Sequence, residues 1–508
     1  MPRFEYASLR PLDLRLLELH PGLAGDVLAG TITHKYFSVE GDEIPQFKAL
    51  SYHWGDQSDP VSISLSTCQS LEDPSSDVES GSLDIGRNLA LVLQALRRQD
   101  KRRVLWCDSI CINQRDLPER AAQVQCMKDI YRYAKSVVVW LGPEASWSTM
   151  AMETVRWAGE QIESATMDYI HGKHVFTCRV TADKRILKTA DPLPLGGAQW
   201  LAIEKLVALD WHKRLWTFQE IILANQKACI VKLGKEEMSW AVYKDSLSFI
   251  LFGKPLPHDC FLDETSFSLN ADMMASKALG CVEVKGKNNW IEMIGVSREY
   301  ECSNPRDRIY ALQGLVAPYL ALAITPDYTK SAKDVLISIC LQHIETQKNL
   351  EFLHHCNAAA RPSWVADLDR PLSSLVIDCH VAPFSTPSAY LIEPGVLETG
   401  GISCDELDCD PILLPQKVIS QTDIEYRQQF VDMVNAFTSH NSHQDDNHLD
   451  RLTMALTYGA VRDYSLQKLR VLNEMSFHSL QDWRWKIRRW LNGTSDAVED
   501  LEDFRLND

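Results

Sequence analysis

The period of the apolar positions changes several times along the chain, and the clearest change lies in residues 103–142. Val104-Leu105-Trp106-Cys107 is a short apolar run that ends on Asp108, and a polar turn through Cys111-Ile112-Asn113-Gln114-Arg115-Asp116 comes next. Asp116 and Glu119 have the form of a capping box, with Pro118 in the first turn, where its missing N–H costs nothing. Val124, Met127, Tyr131 and Ala134 then recur at helical spacing. Residues 136–141 are continuously apolar and stop at Gly142-Pro143, which suits a strand buried on both faces of a parallel sheet. The pattern predicts a β-α-β unit with a polar loop at the carboxyl end of its first strand, where open α/β sheets form their sites.

Other stretches obey the same logic. Phe47-Lys48-Ala49-Leu50-Ser51-Tyr52 predicts a strand that runs into a turn at His53-Trp54-Gly55-Asp56. Residues 85–96 predict a helix, with Leu89, Leu93 and Leu96 on one face. Residues 1–35 read as a leucine-containing lead-in and residues 70–82 as a polar loop. Residues 144–200 read as an insertion, with a helix over 149–164 and an irregular remainder. Residues 202–224 predict one continuous helix on which Trp211, Leu215, Phe218 and Ile222 align, while Trp216 and Glu220, four apart, share another face. Helices are expected from Asn304-Pro305 to Leu315 and over 331–346, and a strand at Ser363-Trp364-Val365.

Composition narrows the class. The chain has 508 residues, so two or three domains are expected. A formal net charge of −17 argues against a general nucleic-acid binder. No apolar run approaches the roughly 18 residues of a membrane span, and the charged residues 1–19 lack a signal-peptide core, so a cytoplasmic protein with no stable membrane insertion is expected. The 14 cysteines form no C-x-x-C pair and read as reduced thiols. Neither a P-loop nor a G-x-G-x-x-G fingerprint occurs, and no metal or cofactor is expected. His440, His443, Asp445, Asp446 and His448 lack zinc spacing and read as a solvated loop. Residues 481–491 are basic and aromatic, fitting an amphipathic helix docked on an acidic protein or one touching a membrane or nucleic acid; residues 495–508 form an acidic tail.

Three blocks together resemble the fungal heterokaryon-incompatibility domain. They are Ala49-Leu50-Ser51-Tyr52-His53-Trp54-Gly55-Asp56; the stretch from Leu105-Trp106-Cys107-Asp108 through Cys111-Ile112-Asn113-Gln114 to Trp140-Leu141-Gly142; and Trp211, Arg214 and Trp216-Thr217-Phe218-Gln219-Glu220. The match spans residues 47–224. Asn304-Pro305-Arg306-Asp307-Arg308-Ile309-Tyr310-Ala311-Leu312 with Pro326-Asp327-Tyr328 resembles the segment carboxyl-terminal to the domain in many members. The resemblance implies a role in non-self recognition and programmed cell death. A more distant resemblance to Toll/interleukin-1-receptor (TIR) domains rests on Leu50-Ser51-Tyr52, Gly55-Asp56 and Trp216-Thr217-Phe218-Gln219-Glu220. Some TIR domains cleave the nicotinamide–ribose bond of NAD with that glutamate.

The resemblance implies NAD as substrate, Glu220 as catalytic carboxylate, and Trp216, Tyr52, Asp108, Ser51, Asp56, Asn113 and Gln114 around it. A carboxylate suits this chemistry because N-glycoside cleavage develops an oxocarbenium-like cation, and nicotinamide leaves without a separate acid. Each residue also fits a structural role. Glu220 could pair with Arg214 or Lys213, Asp108 and Asn113-Gln114 could tie the loop to Asp56 or Ser51, and Tyr52 and Trp54 could be core aromatics. The expected architecture is an α/β domain over 1–235, with a mainly parallel, TIR/flavodoxin-like sheet flanked by helices. A mostly helical extension over 236–400 and a loosely structured region over 401–508 complete it. The expected partner is a second copy of the chain or another incompatibility protein. A non-enzymatic interaction module and an accessory protein of a specialised metabolic pathway are the alternatives.

Overall fold

In the computed structural model the described residues run from 2 to 365, apart from 24, 40–43, 69–79, 171–172, 181–191, 258–260, 263, 284–288, 348–351, 354–355 and 357–361. Beyond 365 they comprise only 389–393, 396–399, 460–463 and 468–471. Two compact units emerge, Met1–Asp369 and Arg370–Asp508. The second shows two antiparallel hairpins, at 389–399 and 460–471. The segments expected at 440–448, 481–491 and 495–508 lie outside the described residues.

The first unit is built on one sheet. Its strands are β1 (Asp13–Leu19), β2 (Ala29–Tyr36), β3 (Lys48–Tyr52), β4 (Val61–Cys68), β5 (Ser80–Ile85), β6 (Arg103–Trp106), β7 (Ser136–Gly142), β10 (Ile230–Leu233) and β11 (Glu236–Ser239), in the order β11-β10-β7-β3-β6-β1-β2-β4-β5. The hairpin β8 (Ile162–Ile170) and β9 (Lys173–Val180) stands apart. The neighbours β10-β7, β7-β3, β3-β6 and β2-β4 run parallel, and β11-β10, β6-β1, β1-β2 and β4-β5 antiparallel. The architecture is therefore α/β with a mixed sheet, and the expectation of a mainly parallel sheet describes only its centre. The difference originates in residues 1–35, which are not a lead-in. Leu14, Leu16, Leu17 and Leu19 are buried in β1, which joins the sheet antiparallel between β6 and β2. Residues 80–82, expected in a loop, and Ile85, expected to open a helix, both belong to β5.

The predicted β-α-β unit is present. α1 (Arg87–Leu96) precedes it, and α2 (Asp108–Cys111) and α3 (Leu117–Tyr133) join β6 to β7, all of whose residues are buried. Asp116 caps α3 by accepting the Glu119 N–H at 3.0 Å. Glu119 does not return the bond. It instead accepts the Asn113 N–H at 2.7 Å and pairs with Arg15, a buried cation within β1, at 2.5 Å. Replacing Asp116 with Ala is expected to cost about 1 kcal/mol in urea unfolding; an unchanged midpoint would show that the cap contributes nothing.

α4 (Ser148–Glu160) buries Ala151, Met152, Val155 and Ala158. The expected single helix over 202–224 is broken into α5 (Gly197–Val207), α6 (Asp210–Lys213) and α7 (Leu215–Ile222), with Leu209 and Arg214 extended between them. The break at Arg214 has a tertiary cause. The Glu301 N–H donates to the Lys213 carbonyl at 2.7 Å, and the Leu215 N–H donates to the Glu301 carbonyl at 2.9 Å. This bridge satisfies backbone groups that a continuous helix would have paired internally. After β11 come α8 (Trp240–Phe252), α9 (Glu264–Glu283), α10 (Trp290–Ser297), α11 (Asp307–Tyr310), α12 (Pro318–Leu322) and α13 (Ala332–Gln347). Ser363-Trp364-Val365 is a turn rather than a strand, with the Val365 N–H reaching back to the Pro362 carbonyl.

Candidate functional site

The carboxyl ends of β3 and β6 open onto one cleft of about 410 Å³. His53, Trp54, Gly55 and Gln57 line it beyond β3, Asp108, Ile112 and Gln114 beyond β6, and Arg120, Val124 and Met127 from α3. Arg214 and Trp216 form its floor, and the opposite wall is the 301–328 segment, contributing Asn304, Asp307 and Tyr328.

Asp108 organises the near side. Its Oδ1 accepts the Tyr52 hydroxyl at 3.1 Å and the Ser109 N–H at 2.9 Å. Its Oδ2 accepts the Trp54 indole N–H at 2.9 Å and faces the Arg214 guanidinium at 3.5 Å. The Gln114 amide donates to the Asp108 carbonyl at 2.9 Å, which holds the loop over the carboxylate. Arg214, extended at the helix break, also donates to the Tyr52 carbonyl at 2.6 Å.

Glu220 lies behind Arg214. It is 1% exposed, and its Oε1 is 3.8 Å from the guanidinium. Neither of its oxygens has a partner at hydrogen-bond geometry, although the Ser51 hydroxyl is near enough to draw its pKa down. Burial dominates and pushes the carboxyl up to about 7; Arg214, Ser51 and Lys277 pull it down, and Asp108 pushes it further up. Ser51 accepts the Trp211 indole N–H at 2.9 Å, leaving its own proton for Glu220. Lys277, on α9, is fully buried, donates to the Trp211 and His212 carbonyls at 3.1 and 2.6 Å, and lies 4.3 Å from the Trp211 ring. Burial works against the Arg214 cation, yet Glu220 and Asp108 together raise its pKa.

The structure thus sorts the expected residues into layers. Asp108, Gln114 and Trp216 line the cleft; Ser51, Tyr52 and Glu220 lie beneath it. Asp56 is exposed and holds Ser58, and Asn113 turns its side chain to the Arg115 N–H, so neither reaches the cleft. Arg214 links the layers. Trp54, Arg120, Asp307 and Tyr328 are cleft residues that reasoning from the sequence did not single out. Their signal was present, since Trp54 stands in the first block and Asp307 and Tyr328 in the two flanking motifs.

The family model described as heterokaryon incompatibility protein (HET) matches residues 47–220. Residues 47–220 are similar to a heterokaryon-incompatibility domain. Strands β3, β6 and β7, the Asp108 loop and α7 as far as Glu220 fall within it, whereas Lys277, Asp307 and Tyr328 do not. The chain is 28% identical over 365 residues to heterokaryon incompatibility protein 6, OR allele, of Neurospora crassa, covering 65% of this chain and 51% of that protein. It therefore spans about half the length of the curated relative it matches. No solved structure shows a significant match. Among the described residues no helix is long and apolar enough to cross a membrane, and no cluster of His, Cys, Asp and Glu suits a metal ion.

Proposed function

We propose that the chain is an effector of heterokaryon incompatibility that promotes cell death when unlike cells fuse, and that its domain cleaves the nicotinamide–ribose bond of NAD. The observation that carries the catalytic part is Glu220 itself. A glutamate held mainly by an ion pair would have a lowered pKa, whereas this one is buried, stands 3.8 Å from Arg214 with neither oxygen at hydrogen-bond geometry, and is raised to about 7 behind the cleft floor. Supporting the reading, the central parallel strands take the order β6-β3-β7-β10, the second-first-third-fourth order of TIR- and flavodoxin-like sheets, whose ligands bind at the strands' carboxyl ends.

In this mechanism the N-glycosidic electron pair leaves with neutral nicotinamide, the Glu220 carboxylate stabilises the ribosyl cation, and water adds at the anomeric carbon. The products are ADP-ribose, nicotinamide and a proton. Asp108 and Trp54 position the ribose and the ring, and Trp216 closes the floor. Arg214 covers Glu220 in the resting chain, so activity requires its displacement, which self-association or a second incompatibility protein supplies.

A specific observation favours a second reading. Glu220 is 1% exposed beside Arg214 and does not line the cleft, and Asp108 already accepts bonds from Tyr52, Trp54 and Ser109, as expected of a non-enzymatic module whose blocks only build a binding surface. Expression of wild type and Glu220→Ala in a fungus separates the two. NAD depletion and death are expected with wild type, and neither with Glu220→Ala. Constant NAD while wild type kills would exclude the enzymatic reading, and equal killing by both proteins would make Glu220 structural.

A further inference from the structure

The cleft contains one arrangement twice. On the near side the two oxygens of Asp108 accept a tyrosine hydroxyl and an indole N–H, from Tyr52 and Trp54. On the far side Asp307 does the same: Oδ1 accepts the Tyr328 hydroxyl at 2.9 Å and Oδ2 the Trp216 indole N–H at 3.0 Å. Each unit also sets an arginine over an aromatic ring. Arg214 is 5.6 Å from the centre of the Trp54 ring, and Arg120 is 4.0 Å from that of Tyr328. Apart from Tyr52, which lies beneath it, the residues of both units line the same cavity.

The two arginines differ in what they have left to bind. Arg214 is engaged by the Tyr52 carbonyl, Asp108 and Glu220. Arg120 is half-buried, touches Tyr328 and feels the Asp307 carboxyl, but forms no close ion pair among the described residues. Its guanidinium carbon lies 4.0 Å from the centre of the Tyr328 ring, a contact that restrains the side chain, and a restrained fork suits bidentate capture of a phosphate. Asp307 nearby is already engaged: its two oxygens accept the Tyr328 hydroxyl and the Trp216 indole N–H, which turns them away from a ligand on Arg120. The cavity volume of about 410 Å³ lies within the range of small-molecule sites.

We propose that Trp216, Asp307, Tyr328 and Arg120 form a second half-site, which binds the nucleoside-diphosphate end of a dinucleotide while the Asp108 unit holds the ribosyl bond. The proposal rests on the reading of the cleft as an NAD site. Asp307 and Tyr328 lie beyond the family-matched range of 47–220, so the extension supplies half of the recognition. A mononucleotide would fill one unit only, and the enzyme would prefer NAD to nicotinamide mononucleotide.

The test uses the full chain and its Arg120→Ala and Arg120→Gln variants, whose folding is checked by thermal unfolding. ADP binding is measured by calorimetry, and turnover on NAD and on nicotinamide mononucleotide is measured on chains brought together by a fused dimerisation module, so that self-association is supplied in every protein compared. Wild type is expected to bind ADP, and both variants to bind it about tenfold more weakly, the loss of one charge-assisted contact. Their KM for NAD rises by about the same factor, with a smaller change in kcat, and the preference for NAD over the mononucleotide collapses. Wild type that fails to bind ADP, or folded variants that bind it equally well, would overturn the half-site. ADP binding lost in the variants while no protein cleaves NAD would uphold the half-site and remove the glycohydrolase reading. NAD cleavage with an unaltered KM in the variants would do the reverse.

Discussion

Arg214→Met is expected to lower the free energy of unfolding by about 3–5 kcal/mol, the cost of removing one partner from a buried ionic cluster. The side chain is 14% exposed and joins three groups that have little other access to positive charge or water: the Tyr52 carbonyl, Asp108 and Glu220. Without it two carboxyl groups, 5% and 1% exposed, remain beneath the cleft. Glu220→Gln in the Arg214→Met background should restore part of the loss, because the two residues share one network and their effects are not additive. The deficit should also shrink at acid pH, where Glu220 takes up a proton and no longer needs the guanidinium. Urea unfolding at neutral and acid pH checks all three statements; a wild-type midpoint for Arg214→Met at neutral pH would mean that the cluster holds nothing together.

Glu220→Gln by itself should act in the opposite direction. The Glu220 carboxyl titrates near 4.5 in an unfolded chain and near 7 in the folded one. Between those values the folded protein keeps a proton that the unfolded chain has lost, so wild-type stability falls as pH rises and levels off above the folded pKa. The amide removes that slope. Above neutral pH the variant should exceed wild type by an amount on the order of 3 kcal/mol. Stability gained by replacing a buried carboxyl with its amide, if it came with loss of the proposed activity, would be the pattern of a group retained for function at the expense of the fold. Superimposable stability–pH curves for the two proteins would refute the raised pKa and, with it, the main support for a catalytic Glu220.

Much of the central fold was legible in the sequence. The alternation of apolar run, polar turn, capped helix and second apolar run in residues 103–142 specified β6, α3 and β7, because period and capping are local properties. The antiparallel half was not legible. β1 is covered on both sides by other strands and interrupts its leucines with Arg15, whose partner Glu119 lies on α3 and has no local signature. The capping box failed for the same reason, since that carboxylate was already engaged by a residue more than a hundred positions earlier.

The site shows the same division. The sequence by itself determined which chemical groups were available: Asp108 at a strand end, Tyr52 and Trp54 after another, and Glu220 one turn beyond Trp216 on a helix. It also carried the blocks by which the domain is recognised. Only the tertiary structure decided which of them meet. The backbone bridge from Glu301 breaks the helix at Arg214, and that break directs one guanidinium to the ends of two strands and across Glu220. The far wall is likewise a matter of packing, because Asp307 and Tyr328 reach Trp216 and Arg120 across about a hundred or more positions of chain. Periodicity and motif spacing report on neighbours within a few turns or strands. A buried carboxyl's pKa, and the number of half-sites in a cleft, depend on which distant segments exclude water from it.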